Sequence, residues 1–90
     1  MVVDQEELAR YCKLDEPELI AEAVALAEVM ESKLKRKGCA DAPATHGDFC
    51  LAVKAMTRHE LDNPGEKIPQ GIQDMINELK LVKPAGGGGA

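Results

Sequence analysis

The chain has 90 residues, 44% of them hydrophobic, with Tyr11 and Phe49 as its only aromatic residues and a net charge of -5 from 16 acids and 11 bases. That length is one domain, and a core without bulk aromatics, made of Leu, Ile, Val, Met and Ala, suits helix packing better than a β-sandwich. A negative balance opposes a protein that coats nucleic acid by counterion release, and no segment approaches the roughly 18 apolar residues of a membrane span.

The acidic opening "MVVDQEE" lacks the basic start of a signal peptide, so the expectation is a soluble intracellular protein. Cys12, Cys39 and Cys50 are odd in number and contain no C-x-x-C pair, which argues for reduced thiols and against a disulfide framework. About 80 residues remain to fold once the terminal glycines are set aside, and a domain so small buries only roughly 60% of the surface its unfolded chain exposes. Partners can therefore matter to its stability.

In chain order, Asp4 and Glu7 have capping-box spacing and predict a short helix from Gln5 to Lys13, with Leu8, Tyr11 and Cys12 as its apolar stripe. "LDEPELI" repeats the grammar, with Asp15 as N-cap, Pro17 in the first turn and Glu18 at the third position. The second helix is the main element. Ile20, Ala23, Ala27, Met30 and Leu34 recur at spacings of three and four, widened by Leu19, Val24 and Leu26, a stripe broader than one small helix covers. Its first turn is acidic, its last carries Lys35, Arg36 and Lys37, and Gly38 stops it, in agreement with the helix dipole.

Residues 38–47 read as a loop, and Thr45 with Asp48 can cap a third helix from His46 to Leu61 whose face includes Phe49, Ala52, Val53, Met56 and Glu60. "DNPGEK" is a turn. After it, Ile68, Ile72, Met75, Ile76 and Leu79 predict a fourth helix, with Pro69 at its first position and Gly71 in its first turn. A glycine there is disfavoured by about 1 kcal/mol relative to alanine, so it signals either an irregular start or a backbone approach that leaves no room for a Cβ. No stretch alternates with period two. The expected fold is all-α: a small four-helix domain over residues 1–83 with a long second helix packed against the third, short first and fourth helices, and a disordered glycine-rich tail at 84–90.

Candidate chemistry is sparse. Cys39, His46, Asp48, Cys50 and His59 are metal-ligand types, but without C-x₂-C or H-x₃-H spacing they read as a buried thiol, a loop thiol and two solvent-facing histidines. Cys50 and His59 are nine residues apart, about 13 Å along one helix and too far to pair. His46 can reach Cys50 at i, i+4, yet no orienting acid or oxyanion donor is evident, and the glycines form no phosphate loop. We therefore expect no catalytic residues, no cofactor and no metal. Lys33, Lys35, Arg36 and Lys37 can contact phosphates, but they equally complement the end of a helix, and neither of the last two helices opens with the basic face of a DNA-recognition element.

The stretch "DFCLAVKAMTRHELDNPGEKIPQGIQDMINELKL" resembles the second half of the tailed-bacteriophage head-tail connector family, small helical proteins of head completion after DNA packaging. The matching residues are Ile68, Pro69, Gly71, Ile72, Ile76, Leu79 and Lys80, an "IP-x-G-[IV]" entry into a terminal helix ending in "L-[KR]". "DQEELARYCKLDEPELIAEAVALAEVMESKL" is similar to the first half, a short helix, an acidic junction and a longer amphipathic helix, so the likeness covers residues 4–81.

The resemblance implies a non-enzymatic adaptor of the virion head-tail junction, assembled in the host cytoplasm. It would form a ring of about a dozen copies, each with two different complementary faces. Its partners would be other copies of itself, the portal protein, a head-closure or tail protein, and DNA passing through the channel without sequence-specific binding. Lys33, Lys35, Arg36, Lys37, Pro69 and Gly71 are the candidate contact residues. The alternative is a small DNA-binding or terminase-associated regulator that uses the basic cluster.

Overall fold

The computed structural model describes residues 2–39, 41 and 45–81. The domain is all-α, with four helices: α1 (Gln5–Cys12), α2 (Pro17–Arg36), α3 (His46–Asp62) and α4 (Gln70–Leu81). Among the described residues there is no strand. The glycine-rich segment at 84–90 lies outside them.

The helix ends follow backbone rules, with small shifts from the spacing-based reading. α1 stops at Cys12 because Lys13 turns left-handed, at φ 56°, and the Leu14 N–H reaches back to the Ala9 carbonyl at 2.9 Å. α2 ends in the same way with the residue that suits it better: Gly38 has φ 94°, and the Cys39 N–H bonds the Leu34 carbonyl at 3.0 Å. At the front of α2 the N-cap is Glu16 rather than Asp15, because Pro17 occupies the first helical position and fixes the entry. Asp4 and Glu16 cap through backbone geometry alone, without side-chain hydrogen bonds. Pro69 stands one place before α4, not inside it: its carbonyl accepts the Gln73 N–H at 3.0 Å, as an N-cap residue does.

Between α3 and α4 the Glu66 N–H bonds the Asn63 carbonyl at 3.1 Å around Pro64 and Gly65, and Gly65 has φ 78°. Proline second and a positive-φ glycine third are the requirements of a type II turn. It carries the chain from the end of α3 into Ile68, which packs on the core.

α3 is the hub, in contact with each of the other three helices, and α2 packs on it over the longest stretch. Ala23, Ala27, Met30 and Leu34 from α2 meet a core in which Phe49, Val53, Met56 and Thr57 of α3 are enclosed. Leu8 and Val3 close it at one side, Ile76 and Leu79 at another. Thr57 can stay in this apolar setting because its Oγ1 donates to the Val53 carbonyl at 2.8 Å. Cys39, expected as a loop thiol, does lie outside the helices and is buried there, its Sγ 3.6 Å from the Ile76 carbonyl, because the Gly38 turn folds the chain back over α4.

Candidate functional site

The face of α3 turned away from α2 is not filled. Asp48, Leu51, Ala55, Arg58 and Asp62 recur at spacings of three and four along it, and α4 runs beside them with Gly71, Ile72, Met75 and Glu78. Between the two helices lie two hollows of about 470 and 430 Å³ that share Leu51, Gly71 and Met75, so they form one continuous groove. Leu51 is 38% exposed at its centre.

The groove is acidic at one end and carries a paired arginine and aspartate at the other. Asp48, Asp74 and Glu78 rim the end at the start of α3. Asp74 accepts a hydrogen bond from Gln70 Nε2 at 2.7 Å, whereas Asp48 and Glu78 form no ion pair among the described residues. At the other end stands Arg58, whose Nε lies 3.7 Å from Asp62 and whose guanidinium lies 5.9 Å from the centre of the Tyr11 ring. Lys54 approaches the same ring at 5.5 Å while its Nζ binds Glu7 Oε1 at 2.7 Å. That hydrogen bond, with the charge behind it, lowers the Glu7 carboxyl below its ordinary pKa.

The six expected contact residues fall into separate places. Pro69 and Gly71 line the groove. Lys33 borders a smaller hollow of about 250 Å³ with Met30, Met56, Glu60, Glu66 and Ile68. Arg36 lies on the outer face of α2 beside Ala25, Val29 and Ser32, Lys35 is 4.0 Å from Glu31, and Lys37 caps the helix. Lys33, Arg36 and Lys37 form no ion pair among the described residues. A close backbone approach at Gly71 is ruled out, because a Cβ built there meets nothing within 4 Å. The glycine opens the groove instead of fitting a contact inside the domain.

His46 does reach Cys50: Nε2 is 3.5 Å from Sγ, and the orienting acid that local spacing did not reveal is Asp41, with Oδ1 2.7 Å from Nδ1. In the neutral ring Nδ1–H donates to the carboxylate, which leaves Nε2 to accept from the thiol. The order acid, imidazole, thiol is that of an activated nucleophile, yet the setting opposes activation. Burial, and after it the charges of Asp41 and Glu7, raise the Cys50 thiol, and Cys12 and Cys39 are likewise raised by burial. Cys50 is the fifth residue of α3, where its own backbone N–H is already bonded within the helix and is not free as an oxyanion donor. The trio holds loop residue Asp41 against α3.

His59, expected to face solvent, is half-buried, and its Nε2 is enclosed without a hydrogen-bond partner, because the chain leaving α3 folds back over it through Gly65 and Glu66. Among the described residues no three His, Cys, Asp or Glu side chains converge as a metal site would require. No helix among them is long and apolar enough to cross a membrane. No known protein family, curated protein or solved structure matches the chain.

Proposed function

We propose that the protein is a structural adaptor, a head-tail connector subunit that assembles into a ring beneath a phage portal, extends the DNA channel and presents a surface to the next head-closure or tail protein. The observation that carries this reading is where the resembling residues lie. Pro69 and Gly71, from the stretch most like the connector family, line an open groove and are not spent on the core, while Ile72 beside them packs against it. A domain whose distinctive residues face outward is built for contact. The adaptor role also accommodates the Cys50, His46 and Asp41 arrangement, which holds a loop and asks for no chemistry.

Mass measurement and negative-stain electron microscopy at high concentration, with and without portal, test the proposal: rings of about a dozen copies are expected. A chain that stays monomeric under both conditions overturns it. The competing reading, a DNA-binding regulator, draws on Lys33, Arg36 and Lys37, which lack ion-pair partners among the described residues. It would displace the first if a gel shift at moderate salt showed specific binding that Lys35→Ala, Arg36→Ala and Lys37→Ala together abolish.

A further inference from the structure

We propose that His46 and Cys50 bind a divalent cation of the zinc class, with the Val2 carbonyl as a third donor and water completing the shell. The first support is distance. In a tetrahedral zinc site a thiolate lies about 2.3 Å and an imidazole nitrogen about 2.0–2.1 Å from the metal, which sets the two donors about 3.5 Å apart. Cys50 Sγ and His46 Nε2 are 3.5 Å apart, and the Val2 carbonyl oxygen is 3.8 Å from the same sulfur. Both side chains stand one turn apart on α3, so a rigid element holds their spacing. Val2 is held in turn by its N–H, which donates to Glu31 Oε1 of α2 at 3.0 Å.

The second support is orientation. Asp41 Oδ1 lies 2.7 Å from His46 Nδ1, which fixes the tautomer and leaves the Nε2 lone pair for the metal. A carboxylate behind the ring is the common outer partner of a zinc-bound histidine, and it makes the imidazole a stronger donor. The third support is charge. Asp41, Glu7 and Glu31 act on the Cys50 sulfur against the single cation Lys54, so the potential there is negative. That potential disfavours a bare thiolate but favours a dication that takes the place of its proton. Binding is thus an exchange: the Cys50 S–H bond breaks, a sulfur–metal bond forms, and the proton leaves to solvent. Thiolate with imidazole selects zinc over magnesium or calcium, which take oxygen donors. A closed site of side chains needs three or four of them, and only two meet here, so this one stays open to exchange. The way in is past His46, whose side chain is 55% exposed. Occupied, the site clips the segment ahead of α1 to α3.

Cobalt tests the site, because a cobalt–thiolate bond gives a near-ultraviolet charge-transfer band that zinc does not. Titrating cobalt into the full chain under thiol-free reducing conditions is expected to raise this band to saturation at one ion per chain, and zinc, but not magnesium, to bleach it. Cys50→Ser is expected to abolish the band and Cys12→Ser to leave it. His46→Gln is expected to weaken cobalt binding by about tenfold or more, and Asp41→Asn by about tenfold with the band kept. His46 and Asp41 are exposed, so their variants stay informative if circular dichroism shows that Cys50→Ser disturbs the fold. A wild type without the band in excess cobalt overturns the site. So does a band that survives Cys50→Ser, or an affinity that His46→Gln leaves unchanged. None of these readings depends on ring formation, so the metal site and the adaptor reading stand or fall separately.

Discussion

The two faces of α3 differ in a way their composition does not announce. On one side Phe49, Val53 and Met56 are sealed against α2; on the other, one residue along at each turn, Leu51 and its neighbours border water. Both faces are apolar at their centres, so hydrophobicity alone does not separate a core position from an open one. What separates them is coverage: α2 is a 20-residue helix that lies along the first face, while α4 has 12 residues and sits at the edge of the second. The inner face supplies stability and the outer face remains available.

The largest effect that tests this contrast is a matched pair of truncations. Phe49→Ala removes the largest enclosed side chain and should destabilise the domain by about 3 to 5 kcal/mol, enough to unfold much of so small a protein. Leu51→Ser on the open face should change stability by less than about 0.5 kcal/mol. Urea denaturation measures both. Comparable losses at the two positions would mean that the outer face is covered after all.

Much of the fold was legible in the sequence because it rests on local rules. The helix-spaced stripes of α2 and α3, the glycine after Lys37 and the Asn-Pro-Gly turn each dictate a conformation within a few residues. The site was less legible, since its parts depend on distance across the fold. Nothing near His46 says that Asp41 swings back to it, because the two are joined by a loop and not by a helical spacing. Cys39 reads only as a loop thiol in the sequence and is buried because α4 closes on it, and His59 is enclosed because the chain returns past it at Gly65. Lys13 ends α1 in a conformation that favours glycine, a case where tertiary context overrides residue preference. Pro69 and Gly71 were singled out by their type, yet only the packing of α4 shows that they edge a groove.

A smaller and opposite effect is expected at Gly71, and it sharpens the same contrast. A glycine required for close packing would make Gly71→Ala destabilising, whereas a glycine in open space makes the alanine variant more stable by up to about 1 kcal/mol, through reduced freedom of the unfolded chain. Thermal denaturation should show a rise in midpoint for the isolated domain. If assembly weakens while the isolated domain gains stability, the methyl group has entered the contact surface from the solvent side, which is where the groove places it. A lowered midpoint would instead place α4 closer to α3 than the structure has it.

The smallest effect lies on the flank of α3 between its two faces, where Lys54 reaches Glu7 of α1. Glu7 has its carboxyl lowered by that lysine, so the folded state holds the proton less tightly than the unfolded state. Its contribution is therefore fully present above the ordinary glutamate pKa of about 4.3 and is lost as pH falls through the lowered folded value. The Glu7 side chain is 44% exposed, so solvent screens the pair and its worth is at most about 0.5 kcal/mol. Comparing wild type with Glu7→Gln by thermal denaturation should give a small difference at pH 7 that shrinks with added salt and fades as the pH is lowered below the ordinary glutamate range. A difference that persists unchanged into acid would show that Glu7 acts through packing on the Lys54 stem and not through its charge, and the flank would then belong with the sealed face of α3.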